Sequence, residues 1–217
     1  MEIVGNGLIA NSFRKSKMVS DVVVFASGVS NSKELRESEY LRELDLIFEY
    51  LGRKIIYFST CSIYDPTLQD SMYVQHKLRV ERMLTDHGSL VVRLPQVVGH
   101  GGNGLTLANY LYDCIKNKHR FVLQVDAVRN LIDIEDVVNF VSTPALSNIS
   151  GCVINLANPF SISVVDLVAI IENAVGISAV FDKISGGSFY DIPLHETERL
   201  IDDYKSYFEG SYYNRII

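Results

Sequence analysis

The sequence predicts an α/β fold: a doubly wound parallel sheet with a small C-terminal cap. Three observations predict it. Short continuous apolar runs ("EIVG", "DVVVFASG", "RKIIYFSTCSIY", "SLVVRLPQVVG", "GCVINLAN") recur between turn residues, as strands buried on both faces of a parallel sheet do. Segments of helical period separate them, and strands alternating with helices mean an α/β sheet. The first run leads directly into a glycine turn, Gly5-Asn6-Gly7-Leu8-Ile9-Ala10, that opens a helix.

Taken in order, "EIVG" is the first strand and the stretch to "RKSK" the first helix. "DVVVFASG" is the second strand, ending in the small residues Ala26, Ser27 and Gly28. In "ELRESEYLRELDLIFEYLG", Leu41, Leu44, Ile47, Phe48 and Leu51 share one helix face, which predicts that this face is buried and that Gly52 caps the helix. "RKIIYFSTCSIY" is a strand, and "MYVQHKLRVERMLTDHG" a helix ending at Gly88. Beyond "VVGHGGNG" come a helix in "LTLANYLYDCIKNK", a strand in "RFVLQV" and a helix in "DIEDVVNFVSTPAL". "GCVINLAN" is again a buried strand, before a helix in "SISVVDLVAIIENAVG" that Ser163 is placed to cap. The last stretch, rich in aromatic and charged residues, reads as irregular or short-helical. Residues 1–100 are expected to form the dinucleotide-binding core. Residues 101–217 would hold the remaining core elements and a small substrate-binding region, not a cleanly separate domain.

Bulk properties exclude several classes. At 217 residues, 47% hydrophobic and 21% charged, the chain has the composition of a globular protein. A net charge of −6 with no long Lys/Arg run argues against nucleic-acid binding, whose affinity comes mainly from neutralising phosphates. Cys61, Cys114 and Cys152 have neither metal-site spacing nor the even number of a disulfide framework, so no metal is expected and a reducing compartment fits. No apolar stretch has the length of a membrane span, and a cytoplasmic location is the expectation.

The glycine turn has the form G-x-G-x-x-A. Its glycines let the backbone N–H groups of Gly7, Leu8 and Ile9 approach a pyrophosphate at a helix N-terminus, although tight strand–helix turns also use glycine without a ligand. Ala26, Ser27 and Gly28, at the carboxyl end of the next strand, would face the same crevice. Thr60 ends a buried strand, and Tyr73 and Lys77 stand at i and i+4 on one helix face. An ammonium beside a phenol lowers the phenol pKa, which makes Tyr73 an acid or base near neutral pH. On the residues alone, the pair also reads as a packing Tyr beside a surface Lys.

Six segments together tip that balance. "VGNGLIA", Thr60 four residues before Tyr64 in "STCSIY", Tyr73-x-x-x-Lys77 with Glu81, "RLPQVVG", "VRNLIDIEDVV" and "VINLANPFSISVVDLVAII" occur in this order between residue 1 and about residue 176. In that order they resemble the extended short-chain dehydrogenase/reductases, the superfamily of nucleotide-sugar epimerases, dehydratases and 4-ketoreductases. The resemblance implies a Rossmann-like fold, NAD or NADP as cofactor and a nucleotide-sugar substrate. It implies polysaccharide-type biosynthetic chemistry in a homo-oligomer. It makes Tyr73 the catalytic acid/base, Lys77 the partner that lowers its pKa and holds the nicotinamide ribose, and Thr60 the group that orients the reacting oxygen. Gln96 would face the nicotinamide side, and Arg129 and Asn103 would hold the substrate.

The chain departs from the family's pattern in informative places. Cys61 and Ser62 stand where the dehydratases carry Asp-Glu, which argues against dehydration. Between Lys17 and Asp21 the family's second and third strands, with the residue that reads the adenosine ribose, are missing. Such a loss removes much of the adenine pocket, though the cations of "RKSK" could meet a phosphate instead. It also exposes a sheet edge, expected to be covered by a neighbouring subunit or by the chain's own tail. The leading expectation is an NAD(P)-dependent 4-keto reductase or epimerase of a nucleotide sugar. The rival is a non-catalytic, cofactor-poor relative that binds a sugar nucleotide or a protein partner. An isomerase using Tyr73 alone, without a nicotinamide or flavin, is the third reading.

Overall fold

The computed structural model describes residues 1–16, 18, 21–99 and 106–217. Its first half runs β1 (Glu2–Val4), α1 (Leu8–Lys15), β2 (Val23–Phe25), α2 (Glu37–Phe48), β3 (Ile55–Thr60), a 3₁₀ turn (Cys61–Tyr64), α3 (Met72–Asp86), β4 (Leu90–Leu94) and β5 (Gln96–Val98). There follow α4 (Leu107–Lys116), β6 (Phe121–Gln124), β7 (Val128–Arg129), β8 (Leu131–Asp133), α5 (Ile134–Val141), α6 (Pro144–Ser147), β9 (Cys152–Asn155) and β10 (Ile162–Ser163). The chain closes with α7 (Val164–Val175), β11 (Phe181–Ile184), α8 (His195–Leu200), α9 (Tyr204–Tyr207) and α10 (Tyr212–Ile216).

The central sheet has the order β1-β2-β3-β4-β9, and every pairing in it is parallel. β3 is buried along its whole length, which is why it reads as an unbroken apolar run. Its alternate residues serve two layers. Ile55 and Tyr57 pack with Ile47, Val80 and Leu84 under α2 and α3. Ile56 and Phe58 pack with Phe13, Val137 and Val141 under α1 and α5. A separate apolar cluster joins α4, β6 and α7 in the C-terminal half, so β9 returns to the main sheet while the residues around it build the cap.

Ser163 caps α7 as its spacing predicts, its Oγ accepting the Asp166 N–H at 3.0 Å, and Gly176 ends the helix with a left-handed conformation. The α2 expectation is corrected in part. Its buried face is Tyr40, Glu43 and Ile47, with Leu44 and Leu51 packed against the same core, while Leu41 and Phe48 are more than half exposed. The helix also stops at Phe48, short of Gly52. The rotation of that face follows from the polar group that α2 presents to the sheet, described below.

Among the described residues no strand lies between α1 and β2, and β1 is the edge of the sheet. The tail does not cover it. Tyr204, Phe208 and Tyr212 pack around Phe140 of α5, Tyr212 donates to Asp136 at 2.7 Å, and α8 contacts β9. That is the opposite end of the sheet. The expectation that the tail hides the β1 edge is therefore overturned, because the aromatic tail finds its apolar partners on α5.

Candidate active site

The parallel pairing puts the carboxyl ends of β1, β2 and β3 on one edge of the sheet, the place where a doubly wound sheet puts its ligands. Gly5 has φ +117°, and a side chain there would strike the Ala26 carbonyl, so only glycine lets the turn lie against the end of β2. Gly7 is the N-cap of α1 without a side-chain cap, and a Cβ on it would meet nothing within 4 Å. The first N–H groups of α1, those of Leu8 and Ile9 included, thus open onto space with the positive end of the helix dipole behind them. Arg14 folds back over the turn, donating to the Gly5 carbonyl at 2.5 Å, and adds a full positive charge. This donor set fits a pyrophosphate.

Ser27 is held from α2 by Arg42, which reaches its carbonyl at 3.1 Å. Gly28 matters for a different reason. A Cβ there would lie 2.7 Å from Lys77 Nζ and 2.8 Å from Glu43 Oε1. Gln96, at the start of β5, has a buried Oε1 with no hydrogen-bond partner among the described residues, an acceptor left available to a donor such as a carboxamide. Among the described residues nothing equivalent serves an adenosine, since β1 is already the sheet edge. The residues fit the pyrophosphate and nicotinamide end of a dinucleotide and leave its adenosine end without strands to rest on.

Ser71 caps α3 by accepting the Val74 N–H at 3.2 Å, which sets Tyr73 in the first turn and Lys77 one turn further. Thr60 accepts the Ser62 N–H at 3.0 Å, and its hydroxyl lies near enough to Tyr73 to act on the phenol. Tyr73 is buried, and burial pushes its pKa well above the usual 10. The Thr60 hydroxyl works against that shift, and the Glu43 carboxylate adds to it.

Lys77 does not take the place the pattern implies. It is only 2% exposed, and its Nζ donates to Tyr57 Oη at 2.7 Å and to Glu43 Oε1 at 3.1 Å, with Tyr73's ring centroid 5.9 Å away. Glu43 is fully buried and also accepts the Tyr57 hydroxyl at 2.5 Å and the Val29 N–H at 2.7 Å, with His76 Nε2 at 3.1 Å. Burial opposes its ionisation, but the Lys77 charge and these hydrogen bonds prevail and bring its carboxyl down to about 2. Burial draws the Lys77 pKa below 10.5 while Glu43 pulls it back. The expected lowering of the Tyr73 pKa by Lys77 is thus not what this arrangement produces, because the ammonium is already neutralised by Glu43.

The other recognised motif residues form the scaffold beside the site. Glu81 of α3 accepts Ser59 Oγ at 2.5 Å and the Arg93 guanidinium at 2.5 and 3.0 Å. Arg93 continues to Tyr64 Oη at 2.9 Å, and Tyr64 pairs with Asn155 of β9. This network ties the ends of β3, β4 and β9 together and holds Thr60 in register.

Arg129, expected on the substrate diphosphate, spends Nη1 on the Val128 and Ser188 carbonyls at 2.7 and 2.8 Å. It also lines an apolar cleft of about 220 Å³ with Leu107, Tyr110, Leu111 and Val164, which none of Thr60, Tyr73 and Lys77 enters. Asn103 lies outside the described residues. Sequence reasoning missed Glu43, Tyr57 and Tyr190. Tyr190, from the tail, sits against Ser62 within the field of Arg129, and burial raises its phenol to about 12. A tyrosine inside the apolar run of β3 was the one available signal for Tyr57.

No protein-family model and no curated protein sequence matches the chain. Solved structures do. A dTDP-glucose 4,6-dehydratase from Bacillus anthracis in complex with NAD superposes with TM-score 0.68 at 15% identity, over 90% of this chain and 71% of that one. A UDP-galactose 4-epimerase gives TM-score 0.69 at 12% identity, over 90% and 76%. The fold is that of the extended short-chain dehydrogenase/reductases. RMD from Pseudomonas aeruginosa, complexed with NADPH, is similar over 94% of this chain and 88% of its own, with TM-score 0.62 and 15% identity. The Rossmann-like sheet β1-β2-β3-β4-β9 carries that likeness, with β1 at its edge among the described residues. Among the described residues, no helix is long and apolar enough to cross a membrane.

Proposed function

We propose that the chain is an NAD(P)-dependent reductase of a keto group on a nucleotide-activated sugar, the 4-keto position being the leading choice. The observation that carries this reading is the placement of Thr60 against Tyr73 at the carboxyl edge of the sheet, beside the open N-terminus of α1. When bound, a reduced nicotinamide supplies the hydride. The chain's own residues hold the substrate oxygen between Thr60 and Tyr73, and Tyr73 gives it the proton that completes the alcohol. Gly7, Leu8, Ile9 and Arg14 would hold the pyrophosphate, and Gln96 would meet the carboxamide. Arg129 and Asn103 are proposed for the substrate side. A phenol kept protonated suits reduction better than epimerisation that begins by oxidising an alcohol, because that step needs a base first.

The open β1 edge favours a second reading, a relative that binds a sugar nucleotide or a protein without turning over a nicotinamide. Calorimetric titration with NAD, NADH, NADP and NADPH separates the two. Micromolar binding of a reduced form, with its oxidation by a 4-keto nucleotide sugar, supports the reductase. Millimolar or undetectable binding of all four supports the second reading. The same edge suits pairing with a second copy of the chain, and sedimentation at micromolar protein is expected to show a dimer or larger species. A strict monomer removes that part of the proposal.

A further inference from the structure

The Glu43–Tyr57–Lys77–His76 cluster is the most deeply buried charged group among the described residues, and the proposed chemistry does not use it. Two charged side chains with no exposure, or almost none, need a strong reason to sit together, because their desolvation is costly. Here the surroundings are built for them. β3 supplies the Tyr57 hydroxyl between the two charges, the loop after β2 supplies the Val29 N–H, and Gly28 leaves the space that any Cβ would take. α2 gives its buried face to Glu43 while leaving Leu41 and Phe48 outside.

We propose that Glu43 is a positioning residue that anchors the Lys77 ammonium to Tyr57 rather than to the Tyr73 hydroxyl, and so keeps Tyr73 a proton donor. The inference deepens the proposed function and rests on reading Tyr73 as the acid of that site. It assigns the direction of the chemistry to a residue that touches neither substrate nor cofactor. The groups facing this region are Glu43, Tyr40 and Arg42 from α2, Tyr57 and Thr60 from β3, and Cys61 from the 3₁₀ turn. From α3 come His76, Lys77 and Glu81. Among these, Glu43 is the carboxylate that both opposes Tyr73 ionisation and cancels the nearest cation. Removing its charge removes the carboxylate that opposes ionisation of the phenol and releases Lys77 from its anchor, and both changes favour tyrosinate.

The test is the titration of Tyr73 itself, in protein without substrate or cofactor, so its outcome is independent of whether the proposed activity is found. Protein labelled at the tyrosine ζ carbon reports each phenol by NMR, and the Tyr73 resonance is assigned by its loss in Tyr73→Phe. In wild-type protein Tyr73 is expected to remain a phenol to the alkaline limit of the fold. In Glu43→Gln its midpoint is expected to fall by at least one pH unit, a tenfold or greater change in the ionisation constant. A Tyr73 that stays a phenol in Glu43→Gln as far as it does in wild type overturns the proposal, whatever happens to the melting temperature. Should Glu43→Gln fail to fold, Lys77→Gln and the double variant Glu43→Gln/Lys77→Gln, measured in sucrose to favour the compact state, carry the same comparison. Tyr73 is expected to ionise at lower pH in the double variant than in Lys77→Gln, and equal midpoints overturn the proposal.

Discussion

Tyr73→Phe is expected to lower kcat for keto reduction by about 10²–10⁴-fold, the usual contribution of a positioned general acid. The substitution removes one oxygen and leaves the ring, which packs with Val29, Tyr40 and Val74. The structural loss is the polar contact with Thr60, about 1 kcal/mol for a single neutral hydrogen bond, so the fold persists. KM for the nucleotide sugar should change little, because proton donation is needed in the transition state and not in the ground state. The measurement is steady-state oxidation of reduced nicotinamide with a 4-keto nucleotide sugar, alongside a thermal melt. A variant that keeps kcat within threefold of wild type, with an unchanged melt, removes Tyr73 from the chemistry. A variant whose KM rises while kcat holds makes Tyr73 a binding group only.

Legibility in the sequence followed the range of the interactions involved. β3 was plain because a strand buried on both faces is apolar at every position, and Thr60 at its end was plain for the same reason. The Ser163 cap was equally legible, since Ser163 to Asp166 is a contact across a single helical turn. The order of the motifs also predicted the lost strands, and β1 is indeed the sheet edge.

What failed was long-range. Periodicity assigned the buried face of α2 to its most apolar stripe; the structure keeps Ile47, Leu44 and Leu51 on the core but buries Glu43 beside them and leaves Leu41 and Phe48 outside. Hydrophobic pattern cannot foresee this, because a glutamate becomes a core residue only when Lys77, 34 positions later in the chain, arrives beside it. The Tyr-x-x-x-Lys spacing placed Tyr73 and Lys77 on one face correctly. It could not say which neighbour would take the ammonium, since that depends on Tyr57 and on the small side of Gly28. The tail illustrates the same limit: its aromatic residues were visible, but their docking on Phe140 and Asp136 was not.

Lys77→Met is expected to destabilise the fold by about 3–5 kcal/mol at neutral pH, because it strands the Glu43 carboxylate in the interior without a counter-charge. For a domain of this size that is a fall in melting temperature on the order of 10 °C. Replacing both partners together, as Glu43→Gln/Lys77→Met, should recover most of the loss, since a neutral pair has no ion to leave unpaired. The pH dependence separates charge from packing. In wild type, the Glu43 carboxyl lies at about 2 in the folded chain against 4.5 in the unfolded one. A depressed carboxyl contributes stability that is fully present above the unfolded value and is lost as pH falls toward the folded one. In Lys77→Met the sign reverses, because burial without Lys77 raises the carboxyl, and protonating it on acidification then relieves the strain. The deficit between wild type and Lys77→Met should therefore be largest at neutral pH and close steadily as pH falls through the carboxyl range toward 2. Chemical denaturation at a series of pH values measures it. A deficit that stays constant across that range, and that the double variant does not reduce, would mean that the Lys77 stem matters for its packing and that Glu43 needs no counter-charge.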